Sequence, residues 1–128
     1  MATKAIIFDS NVWVGYFNLA DTTHTQAVKY FKKYSNHTVV LTEYVLLEVA
    51  TVLKEKIGYA ATNNIISALL QTENIKLLPS SEYFSITLKK FLAFEDKHLS
   101  FVDVSLLALA DNFKIITFDK KLLAKLNK

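Results

Sequence analysis

Short apolar runs alternate along the chain with longer segments whose apolar residues recur every three or four positions. That pattern predicts strands covered on both faces, interleaved with amphipathic helices. The first run, Ala5-Ile6-Ile7-Phe8, ends at Asp9. Ser10 to Phe17 reads as a short helix, and Thr22 or Thr23 caps a second that reaches about Tyr34, with Ala27, Val28, Tyr30, Phe31 and Tyr34 at helical spacing. Thr38-Val39-Val40-Leu41 predicts a second strand. Thr42 then caps a helix from Glu43 to Ile57, closed by Gly58, and a further helix spans about Ala60 to Thr72.

Ile75-Lys76-Leu77-Leu78 predicts a third strand, stopped by Pro79, and Ser80 or Ser81 starts a helix to about Phe94. Ser100 opens the next helix, to about Asn112. Lys114 to Phe118 predicts the fourth strand, and a Lys-rich helix follows Asp119 from Lys120 to Leu126. Strands alternating with helices imply a three-layer α/β/α sandwich around a mostly parallel sheet of four or five strands. At 128 residues, one domain over 1–128 is the expectation.

Composition narrows the function. Only two Gly and one Pro occur, against 52% hydrophobic residues, which disfavours disorder and turn-rich sandwiches. There is no Cys, so thiolate chemistry and disulfides are excluded. No apolar run has the length to span a bilayer and the start lacks a leader pattern, so a soluble cytoplasmic protein is expected. All fifteen basic side chains are Lys; with no Arg, bidentate recognition of guanine or phosphate is not available. Two glycines cannot build a dinucleotide-binding or P-loop glycine motif. His24, His37 and His98 lack metal-ligand spacing.

Four acids stand out. Asp9 and Asp119 each follow an apolar strand, and in a parallel sheet such ends share the rim where open α/β folds place ligands. Each also suits the N-cap of the helix that follows. Glu48 lies three residues after Val45 and four before Val52, a carboxylate on an apolar helix face. Asp103 shares a face with Leu106 and Leu107, and with Ser100 it matches the S-x-x-D capping box. Carboxylates gathered in one pocket repel unless a cation sits between them, and a hard divalent ion, Mg²⁺ or Mn²⁺, takes oxygen ligands. Such a pocket in an otherwise basic chain suits phosphodiester hydrolysis.

With these residues in view, the chain resembles the PIN domain family, and within it the VapC-type toxins of prokaryotic toxin–antitoxin pairs. The matching pieces are Ile6-Ile7-Phe8-Asp9-Ser10-Asn11-Val12, Glu48 in Leu46-Leu47-Glu48-Val49, Leu99-Ser100-Phe101-Val102-Asp103 with the helix containing Leu106 to Ala110, and Ile115-Ile116-Thr117-Phe118-Asp119. The resemblance implies an Mg²⁺- or Mn²⁺-dependent endoribonuclease. In it Asp9, Glu48, Asp103 and Asp119 would form the catalytic metal site, with Asn11, Thr117 and Ser10 supporting it. It further implies an RNA substrate, a homodimer and a small antitoxin protein. Val102 and Val104 beside Asp103, and Phe113 where a turn glycine is common, depart from the family pattern. Alternatives are a PIN nuclease of RNA processing, a non-catalytic PIN module that holds RNA or protein, and a phosphatase on a similar sheet. Trp13, Tyr16 and Phe17 read first as core, and second as partner contacts.

Overall fold

The computed structural model describes residues 4–94 and 98–127. Four parallel strands, β1 (Ile6–Phe8), β2 (Val39–Thr42), β3 (Ile75–Leu78) and β4 (Lys114–Ile116), lie in the order β3-β2-β1-β4. Ile6 aligns with Val39 on one side and with Lys114 on the other. Two helices follow each of the first two strands: α1 (Ser10–Phe17) and α2 (His24–Lys33), then α3 (Glu43–Ile57) and α4 (Tyr59–Gln71). A 3-10 turn (Ser80–Glu82), α5 (Phe84–Ala93) and α6 (Phe101–Leu109) connect β3 to β4, and α7 (Lys120–Leu126) ends the described chain.

The sheet steps from β1 outward to β3 and then returns to add β4 on the other side of β1. Right-handed crossovers therefore set α1–α4 on one face and α5–α6 on the other. The helix packing follows the same division, α1 on α2 and α3, α3 on α4, α5 on α6 and α6 on α7. The reversal of strand order falls between β1 and β4, where α/β sheets open a crevice at the carboxyl ends of their strands. Sandwiched between layers, Ile6, Ile7 and Phe8 are wholly buried, which accounts for the unbroken apolar run.

Trp13 is core, with no exposed surface; its indole N–H donates to the Phe8 carbonyl at 3.1 Å, and Phe31 stacks on Phe8 at 4.7 Å between ring centres. Tyr16 and Phe17 are partly buried against it. Several boundaries differ from the sequence expectation. β4 stops at Ile116, so Thr117 and Phe118 form a link and Asp119 does not follow the strand directly. The segment after Pro79 makes a 3-10 turn before α5 begins at Phe84, and α6 ends at Leu109 rather than near Asn112. Gly58, at φ 90°, both ends α3 and opens α4, a conformation a side chain would strain. Helix α5 is unusual: Phe84, Ile86, Leu88, Phe91 and Leu92 are all exposed, and Thr87 is its one buried residue.

Candidate metal centre

Asp9 is the terminal point of β1 and the N-cap of α1, and only 4% of its surface is exposed. Its Oδ1 accepts from the Ser10 backbone N–H at 2.7 Å and its Oδ2 accepts from the Thr117 hydroxyl at 2.7 Å. Thr117 is a junction: its oxygen also accepts from Asn11 Nδ2 at 3.3 Å and from the Asp119 N–H at 3.0 Å. Asn11 returns the contact, its Oδ1 accepting from the Phe118 N–H at 3.2 Å. Asn11 and Thr117 thus fasten the turn after β1 to the link after β4.

The other acids reach the same rim from different elements. Asp119 caps α7, its Oδ1 accepting from the N–H groups of Lys121 and Leu122 at 2.8 and 3.4 Å. Asp103 completes the capping box of α6: its Oδ2 accepts from Ser100 N–H at 3.0 Å while the Ser100 hydroxyl oxygen accepts from Asp103 N–H at 3.1 Å. The capping roles expected of these three aspartates are therefore all realised. They leave Asp103 Oδ1 and Asp119 Oδ2 outside the cap bonds, and a capped carboxylate still has lone pairs to offer. Glu48 is half-buried on α3, where the Ser10 side chain hydrogen-bonds it.

Electrostatics ties the four together. Burial pushes the Asp9 carboxyl above the ordinary value of 3.8; the bonds from Thr117 and Ser10 oppose the shift, and the charges of Asp103 and Asp119 add to it. Burial likewise raises Glu48 above 4.5, opposed by Ser10 and reinforced by Asp9 and Asp103. Asp9 thus feels the charges of Asp103 and Asp119, and Glu48 those of Asp9 and Asp103. Among the described residues no three acidic or histidine side chains are gathered tightly enough to enclose one ion as they stand. Closer gathering needs a positive charge between them, because unit charges ~4 Å apart repel by ~4 kcal/mol at an effective dielectric of 20. The donor set is all oxygen, which suits Mg²⁺ or Mn²⁺ and not a nitrogen- or sulfur-seeking metal.

Two of the histidines have contacts of their own. His24 Nδ1 meets the Gly15 carbonyl at 2.9 Å, and His37 packs its ring on Tyr34. Two residues that the sequence did not single out border the site: Leu47 and Thr51 flank Glu48 on α3 and line a cavity with it. The sequence carries no signal for either, since only the structure shows Leu47 to be exposed beside Glu48.

The raised acids make the metal-free fold sensitive to pH. A carboxyl whose folded pKa exceeds its unfolded value adds stability that is present below the unfolded value and lost as pH rises through the folded one. In chelator, wild type should lose stability relative to Asp9→Asn as pH climbs from about 4 toward neutrality. Thermal unfolding of both proteins across that range checks it; a wild type that gains on the variant would show Asp9 to be stabilised as a carboxylate.

The model of the PIN domain family matches residues 6–128. A solved structure from Mycobacterium tuberculosis, the sarcin–ricin loop cleaving toxin VapC20, is similar to this chain with a TM-score of 0.79 at 20% sequence identity, over 94% of each chain. At that identity the likeness speaks for the fold. No curated protein matches the sequence. The family match covers nearly the whole length and includes all four acids of the rim: this chain belongs to the PIN domain family.

Proposed function

We propose that this chain, as one domain over residues 1–128, is a divalent-metal-dependent endoribonuclease that hydrolyses RNA phosphodiester bonds. We read it as the toxin of a toxin–antitoxin pair. The observation that carries the reading is the set of four acids at the switch point of a PIN sheet, in which the charges acting on Asp9 and Glu48 are those of other acids. VapC20, similar in fold across 94% of both chains, is a toxin that cleaves RNA at the sarcin–ricin loop, which supports the toxin role.

Asp9, Glu48, Asp103 and Asp119 would hold Mg²⁺ or Mn²⁺, which activates water and stabilises charge on a phosphate when bound. Asp9 is the fixed member, because its two oxygens are located by Ser10 and Thr117. Glu48 is steadied by Ser10 and feels the charges of Asp9 and Asp103, while Asp119 is oriented by the first turn of α7. Lys120 and Lys121 are exposed beside Asp119, placed to hold phosphates of the RNA backbone. No helix among the described residues is long and apolar enough to cross a membrane, and the cytoplasmic site of action is part of the proposal.

The partner proposals have separate support. The exposed apolar residues of α5, with Ile86 at 55% and Leu92 at 74%, suit a homodimer contact. A cavity of about 530 Å³ between α1, α2 and α4, lined by Trp13, Tyr16, Phe17, Phe31, Ile65 and Leu69 among others, suits an apolar segment of a small antitoxin. Sedimentation velocity should give a dimer for wild type and a monomer for Leu92→Lys; a monomeric wild type removes the dimer. An antitoxin seated in the cavity should shift the emission of Trp13, the sole tryptophan.

RNA cleavage tests the function itself. Wild type should cut single-stranded RNA in Mg²⁺ or Mn²⁺ and stop in chelator, while Asp9→Asn should fall by about a hundredfold or more and still fold. Asp9→Asn cutting at the wild-type rate would exclude the acidic site from the reaction.

A further inference from the structure

A cavity of about 390 Å³ lies against α3, lined by Ser10, Leu47, Glu48, Thr51 and Val52, so that Glu48, one of the four acids, borders it. Its walls come from two adjacent stripes of the helix, Leu47 with Thr51 and Glu48 with Val52, each pair one turn apart. Leu47 is 64% exposed although it neighbours a half-buried acid. Isolated exposed leucines are ordinary on protein surfaces. This one differs in lining a concavity whose other side is Ser10, the residue that follows Asp9.

The polar atoms of the cavity share one property. The Thr51 hydroxyl donates its hydrogen to the Leu47 carbonyl at 2.9 Å, so only its lone pairs face outward. The Ser10 hydroxyl is engaged with Glu48, and the Ser10 N–H with Asp9 Oδ1. Glu48 is itself a carboxylate. The side chains therefore offer hydrogen-bond acceptors and an apolar platform, with no donor among them.

Resting on the ribonuclease reading above, we propose that this cavity receives the base next to the scissile phosphate and selects a base bearing an exocyclic amino group: adenine, cytosine or guanine over uracil. A phosphate at the acids places the neighbouring nucleotide against α3, and single-stranded RNA can splay that base out of its stack. Leu47 and Val52 support the face of the ring. Thr51 Oγ1 and the Glu48 carboxylate accept from the amino group. Uracil has no amino group: its one edge donor, N3–H, is flanked by two carbonyl oxygens, so meeting the acceptors through N3–H brings at least one carbonyl against them, a repulsion that an amino group at the edge avoids.

The test is cleavage of a random-sequence single-stranded RNA pool in Mn²⁺, with the cut ends sequenced, for wild type, Thr51→Val and Leu47→Ala. Wild type should disfavour uracil about tenfold or more at one position beside the cut. Thr51→Val, which keeps the shape but removes the acceptor, should lower cleavage at amino-bearing bases far more than at uracil and so flatten the preference. Leu47→Ala should raise KM several-fold with a smaller change in kcat. Metal-induced thermal stabilisation should be the same in all three proteins, a readout that a general loss of structure would alter. Uracil preferred at every position flanking the cut, or wild-type preference retained in both variants, overturns the proposal while the ribonuclease reading stands. A wild type that shows metal-induced stabilisation yet cuts no RNA overturns both.

Discussion

A carboxylate held almost out of water at the end of a central strand is the constraint around which this molecule is arranged. Asp9 cannot leave: β1 is buried on both faces, and its last residue must turn directly into α1. The penalty of burying that charge is partly offset by the Ser10 N–H and the Thr117 hydroxyl, the latter contributed from 108 residues along the chain. Thr117 in turn is held by Asn11 and holds Asp119. One hydroxyl therefore connects the two turns that flank the switch point, and two of the four acids depend on it for position.

The arrangement is tolerable because the same rim collects helix N-termini. In a parallel sheet, a helix entered from the end of a strand starts at the carboxyl edge, as α1 and α3 do directly and α7 does after the link of Thr117 and Phe118, capped by Asp9, Thr42 and Asp119. Asp103 adds the start of α6. Unpaired N–H groups and the positive ends of helix dipoles offset part of the repulsion among the acids. Capping and metal binding are thus compatible uses of one carboxylate. The bond that satisfies a helix end also fixes the direction in which the remaining lone pairs point.

Much of this was legible in the sequence, for identifiable reasons. Short apolar runs gave all four strands: β1 and β2 are buried throughout and read without polar interruption, while the edge strands β3 and β4 were legible despite the exposed Lys76 and Lys114. Ser100 with Asp103, and Thr42 before α3, marked helix starts through local hydrogen bonds that depend on neighbouring residues alone. Where structure depends on distant contacts, the sequence was less informative. The end of β4 at Ile116 is set by Thr117 turning toward Asp9, a contact that no local pattern reveals. The exposure of α5 was hidden because its apolar spacing is that of a core helix. Leu47 and Thr51 were overlooked because a leucine and a threonine in a helix are unremarkable until a cavity is seen beside them.

Four separately anchored acids that hold a divalent ion between them make that ion a ligand of the folded chain alone. The most direct measurement is the unfolding midpoint of wild type and Asp9→Asn, each in chelator and in millimolar Mn²⁺. The midpoint should rise with metal in wild type and not in the variant, since an ion bound only by the folded state stabilises it by mass action. The same midpoint with and without Mn²⁺ in wild type, or an equal rise in both proteins, would contradict it.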